Sequence, residues 1–184
     1  MIEQTREAVL HWLQVMVVGE GLCPFAARPL RDGLVDISVC EASDNDGIYR
    51  HVLGDMERLL NTPAEALETT VVAVPQALAD FDDYLDMLGI LEDALIQAQL
   101  EGVLQIASFH PDYCFEGIEQ DDVSNFTNRS PVPLFHLIRE DSLSAALASH
   151  PDPAAIPERN QARMRELGRA GIEHLLRRGT SSPD

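Results

Sequence analysis

Three short strand-like segments separated by two stretches of helical periodicity constrain this chain more than any other feature. Leu34-Val-Asp-Ile-Ser-Val39 alternates apolar and polar residues, Thr69-Thr-Val-Val-Ala-Val74 is β-branched and continuous, and Val103-Leu-Gln-Ile-Ala-Ser-Phe109 is mostly apolar. Each reads as a strand. Between the first two, Ile48, Val52, Met56, Leu59 and Leu60 form a helical stripe that stops before Pro63. Between the second and third, Phe81, Tyr84, Leu85, Leu88, Leu91, Leu95 and Ile96 keep one face apolar. Asp80, Asp82 and Asp83 enrich the positive N-terminal end of that helix, and Glu101-Gly102 ends it. Strands alternating with helices of this length form βαβ units, whose crossovers join parallel strands.

The rest of the chain completes an α/β fold. Val9, Leu10, Leu13, Met16 and Val17 share a helical face over residues 2–18, with Gly19 placed as a C-cap and Trp12 as a core residue. After the third strand, about twenty residues of weak periodicity lead to Leu134–Ile138, which reads as a fourth strand. No crossover helix precedes it, so it is expected to run antiparallel to the third; a short helix is the alternative. Asp141-Ser142 starts a brief helix, and a last helix begins near Pro157 with Met164, Leu167, Ile172 and Leu175 on its apolar face. The expected architecture is a small mixed sheet of three parallel strands plus an antiparallel fourth, flanked by helices, with a C-terminal helix. Residues 1–178 form one domain in this reading, and 179–184 form a frayed tail.

Charge narrows the partners. The 184 residues carry 31 acids against 13 basic residues, a formal net charge of −18, and every basic residue is an arginine. Such a surface repels nucleic acid and anionic membrane at long range. Six arginines (Arg159, Arg163, Arg165, Arg169, Arg177 and Arg178) fall on the last helix and give the acidic molecule one basic edge. Three cysteines at unpaired spacing predict a reducing compartment. The acidic N-terminal residues and the brevity of the longest apolar run, Val15–Val18, predict a cytoplasmic protein.

In open α/β sheets, loops and helix N-termini converge beyond the carboxyl ends of the strands, so that end is where a site is expected. The irregular segment after the third strand supplies the polar groups, and long loops inside a compact domain are commonly functional. His110 and His136 are the candidate general acid–base pair, because imidazole titrates near neutrality; private hydrogen bonds to backbone are the competing role. Arg129 and Arg139, with Asn128, Asn125 and Asp122, are candidates to hold a phosphate or carboxylate. For Arg129 the alternative is a salt-bridge pin to Asp121 or Asp122. Cys23, placed before Pro24 as a helix N-cap, is a possible reactive thiol, with burial as a small hydrophobe the alternative. A zinc-type site from His110, Cys114, His136 and Asp121 or Asp122 is chemically conceivable, but Pro111 breaks the spacing, so no metal ligand is assigned.

Gly21-Leu-Cys-Pro-Phe-Ala26, Phe109-His-Pro-Asp-Tyr-Cys-Phe115 through Asp121-Asp122, Asn125-Phe-Thr-Asn-Arg-Ser-Pro131 and His136-Leu-Ile-Arg139 together resemble the domain-of-unknown-function family fourteen-fifteen. The resemblance extends over nearly the whole chain and implies one domain, with the same polar segment prominent and no activity attached. The first functional expectation is a small-molecule enzyme acting on an anionic substrate, with His110 and His136 exchanging protons. The alternatives are a non-catalytic ligand- or protein-binding module and a metalloprotein. Cofactor and oligomeric state are left open.

Overall fold

A computed structural model describes residues 1–177; Arg178 and the expected tail at 179–184 lie outside the described residues. Four strands, β1 (Val35–Val39), β2 (Thr69–Ala73), β3 (Leu104–Phe109) and β4 (Leu134–Arg139), form one sheet in the order β1-β2-β4-β3. β1 and β2 pair in parallel, whereas β4 lies antiparallel to both β2 and β3. This corrects the expectation of three parallel strands: among the described residues the β1–β2 pair is the one parallel pairing. β4 inserts between β2 and β3, so β3, although it runs in the same direction as β2, has no parallel neighbour. Backbone pairing, which periodicity does not report, decided that point.

β2 is buried on both sides along its whole length, which suits its continuous β-branched sequence. On one face lie α3 (Asn45–Asn61) and α4 (Phe81–Gln97), whose Ile48, Val52, Met56, Leu59, Met87 and Leu91 pack against Val72, Phe135 and Leu137. Both helices start where an aspartate caps free backbone N–H groups. Asp44 accepts from Gly47 N, and Asp80 accepts from Asp82 N and Asp83 N.

The opposite face is covered by the N-terminal helix and by α6 (Ile156–Arg177), with Val9, Trp12, Met16, Met164 and Ile172 against Val71, Ala73 and Leu134. The N-terminal helix is α-helical over Ile2–Trp12 (α1) and then widens into a π-helical stretch, Leu13–Val18. Gly19 is required there for a reason other than a left-handed cap. Its φ is −62°, and a Cβ would stand 2.5 Å from the Val15 carbonyl oxygen. The short α2 (Ala27–Arg31) leads into β1, and α5 (Glu140–Ser149) follows β4 without burying any residue fully. No helix among the described residues is long and apolar enough to cross a membrane.

Candidate functional site

The segment after β3 is rigidly pinned, and its polar side chains do most of the pinning. His110 is fully buried, donates from Nε2 to the Leu78 carbonyl (2.9 Å) and accepts at Nδ1 from the Asp112 N–H (3.0 Å). Its ring also packs on Phe81 and Tyr84 of α4, with centroids 5.2 and 5.1 Å away. Both nitrogens are therefore occupied by backbone, which fixes the tautomer and leaves no site for proton exchange with a substrate. Tyr84 closes the same corner: its hydroxyl donates to Leu134 O (2.7 Å) and accepts from Phe109 N (3.1 Å). Burial pushes that phenol far above its ordinary pKa.

Asn125 is fully buried and staples the loop from within, accepting from Phe115 N (3.1 Å) and donating to Glu119 O (2.9 Å). Asn128 donates to Ser108 O (3.1 Å), while its own carbonyl accepts from His110 N (3.2 Å). Asp122 caps the 3-10 helix Val123–Thr127 by accepting from Ser124 N (2.7 Å), and hydrogen bonding to Ser124 holds its carboxyl below the usual range. These three residues, candidates to hold an anion, hold the loop's shape.

Arg129 is neither a salt-bridge pin nor wholly free. Its Nε donates to Tyr113 O (3.1 Å) and its Nη2 to Gln120 O (2.6 Å), and its guanidinium carbon stands 5.0 Å from the Phe126 ring centroid. Arg169 of α6 rests on the same ring at 5.4 Å and donates to Asp121 O (3.1 Å). Gly168 makes that approach possible: with φ 63° and ψ 168°, a conformation essentially confined to glycine, it breaks α6 and redirects the chain at Arg169. Among the described residues neither guanidinium has a carboxylate within ion-pair distance. Burial, and then repulsion from Arg169, push the Arg129 pKa down. The pair borders an open cavity of about 370 Å³ whose other walls are Asp112, Glu119, Gln120 and Asp121. A second cavity of about 380 Å³ adjoins it through Asp112 and Gln120 and is bounded beyond them by residues 79–82 at the start of α4.

The remaining candidates lie elsewhere. His136 sits in mid-β4 between Val71 and Ala107, on the sheet face opposite the packing of His110. Its Nε2 meets Thr69 Oγ1 at 2.6 Å, and Thr69 in turn donates to Leu137 O. Burial pushes the His136 pKa down to about 4. Arg139, at the far end of β4, donates to the carbonyls of Leu59, Thr62 and Leu67. The expected meeting of two imidazoles and two guanidiniums in one hollow does not occur, because the hairpin sends alternate residues to opposite faces and β4 carries Arg139 away from the loop. Cys23 is not a helix N-cap: α2 begins at Ala27, Ala26 occupies the cap, and burial pushes the thiol pKa up. Among the described residues no group of three or more His, Cys, Asp or Glu is placed to hold a metal, and the His110 nitrogens of the conceivable zinc set are committed to backbone.

Two features escaped the sequence reading. Arg169 reads from sequence only as part of a basic helix, although a glycine before it within an apolar-faced helix is a legible sign of the break. The second is a polar seam between β1 and α3. Ser38 Oγ is 2.9 Å and Asp55 Oδ2 3.3 Å from the same nitrogen of His51, Nε2, with Arg58 joining Asp55 to Asp36. A serine-hydrolase triad places its carboxylate on the other imidazole nitrogen, so this arrangement reads as a strand–helix fastening. The spacing of His51 and Asp55, four apart on one helix, is its sequence signal.

No curated protein and no solved structure matches the chain. The sequence profile of a family described as "Protein of unknown function (DUF1415)" matches residues 4–174, including both walls of the arginine-bearing cavity. Matching this share of its length, the chain belongs to that family.

Proposed function

We propose that this chain binds a small anionic molecule, one bearing a carboxylate or phosphate, at the Arg129–Arg169 cavity, and that the site is a binding site without histidine acid–base chemistry. One observation carries the reading. In a chain with 31 acids and 13 basic residues, two guanidiniums lie together on one aromatic ring, hydrogen-bonded among the described residues to carbonyls alone. Placing like charges together costs energy unless something offsets it, and both retain N–H groups not engaged by protein. An anion there would relieve the repulsion and accept forked hydrogen bonds. The site also lies beyond the carboxyl end of β3, where α/β folds gather ligands.

The same reading retains a cytoplasmic protein without nucleic-acid partners, supported by three free cysteines and by the net charge of −18. Its test is a thermal-shift and calorimetric screen of inorganic phosphate, phosphorylated metabolites and carboxylates against the wild type and Arg169→Ala. Arg169 is the better target because Arg129 also holds two loop carbonyls. At a hundredfold excess over Kd, a compound that binds only the folded state adds about 2.7 kcal/mol of stability. The expected outcome is such a rise for at least one compound in the wild type and its loss in the variant. Equal shifts in both proteins, or none in either, would refute the reading.

A further inference from the structure

We infer that the arginine cavity selects a zwitterion, a molecule carrying a carboxylate at one end and a cationic amine at the other, with Asp112 as the residue that sets this preference. The inference deepens the anion-binding reading above and rests on it. The two guanidiniums share their cavity with three acidic residues, Asp112, Glu119 and Asp121, and the adjoining cavity adds Asp80 and Asp82. A dianion seated on the arginines therefore faces net repulsion from the rest of the wall, whereas a monoanion with a cationic tail meets opposite charge at both ends.

Asp112 stands where the two cavities join. Its main chain is fixed, the N–H by His110 and the carbonyl by Gln120 Nε2 at 3.1 Å. Among the described residues its exposed carboxylate accepts no hydrogen bond and forms no ion pair. It is thus a negative charge on a fixed main chain, close enough to act on the Arg129 guanidinium and beside the positively charged pair that holds the other end of the same molecule. The Asp80 carboxylate is already engaged as the cap of α4, and Asp112 alone of the acidic residues lines both cavities among the described residues, which makes it the group to receive an ammonium.

Three four-carbon compounds of matched length separate the possibilities: succinate, γ-aminobutyrate and putrescine, titrated calorimetrically at low ionic strength into the full chain, with inorganic phosphate as reference. γ-Aminobutyrate is expected to bind about tenfold more tightly than either succinate or putrescine, the size of one attractive and one repulsive solvent-screened charge pair taken together. Arg169→Ala should abolish that binding. Asp112→Asn should weaken γ-aminobutyrate several-fold and strengthen succinate, a reversal that a merely structural Asp112 would not produce. If succinate or phosphate binds as well as γ-aminobutyrate and loses affinity in Arg169→Ala, the anion site stands and the zwitterion inference falls. If putrescine binds best, or if Asp112→Asn moves both compounds in the same direction, the inference is likewise overturned. Absence of binding by all four compounds, or binding indifferent to Arg169→Ala, overturns it together with the reading it rests on.

Discussion

His136 shows how little an isolated residue type reveals about its use. A histidine beside a polar loop invites an acid–base role, but the alternation of side chains along β4 turns this ring onto the sheet face and its Nε2 onto Thr69. Burial favours the neutral ring, so its folded pKa of about 4 lies below the ordinary value near 6.5. The unfolded chain then binds more protons than the folded one between those two values, and stability falls as pH drops through that window. Urea unfolding at pH 7 and pH 5 should show a loss of about 2 kcal/mol in the wild type. Most of that dependence should vanish in His136→Gln, and a His136 imidazole that titrates near 6.5 by NMR in the folded protein would contradict the argument. At this scale the sequence singled out a segment dense in polar groups but not the partners those groups take. The destinations of Asn125, Asn128 and His110 are backbone groups of the loop itself, and backbone partners leave no trace in residue type.

At the scale of elements, the helices and strands were largely legible because each carries its own periodicity and caps, as Asp80 and the stripe Tyr84–Leu91–Leu95 do for α4. What connects elements was less so. The place of β4 between β2 and β3 follows from main-chain pairing, and nothing in the apolar pattern of Leu134–Ile138 distinguishes a central position from an edge. The edge strand β3 is closed at both ends by local contacts, Leu100 O on Leu104 N and Asn128 on Ser108 O, which blunts it against pairing with other chains. Arg139 is the clearest inter-element contact. It lies about 17 Å along β4 from the loop end of the strand and gathers carbonyls at and beyond the C-terminus of α3, where the helix presents unpaired acceptors. Arg139→Ala should therefore cost about 2–3 kcal/mol in urea unfolding. Arg139→Lys should recover less than half of that, because an ammonium lacks the planar reach to several carbonyls. Binding at the Arg129–Arg169 cavity should be unaffected in both variants; an affinity change there would mean that the two ends of β4 are coupled.

For the whole molecule, the governing quantity is the charge of −18. Self-repulsion of this size destabilises the compact state, and it is partly offset by local networks such as Arg58 with Asp36 and Asp55, and Arg163 with Glu20 and Glu166. The two respond oppositely to salt. Screening relieves the long-range repulsion but also weakens the pairs that reach solvent, such as Arg163 with Glu166, worth no more than about 1 kcal/mol. Because acids exceed basic residues by more than two to one, most carboxylates have no partner to lose. Repulsion should dominate, and raising sodium chloride from about 0.02 M to about 0.5 M should lift Tm by about 3–6 °C. Arg169→Ala raises the net negative charge by one and removes no ion pair, so its Tm should climb with salt at least as steeply as that of the wild type. A Tm that falls with chloride would mean that the networks at Arg58 and Arg163 outweigh the global charge, and the repulsion argument would fail with it.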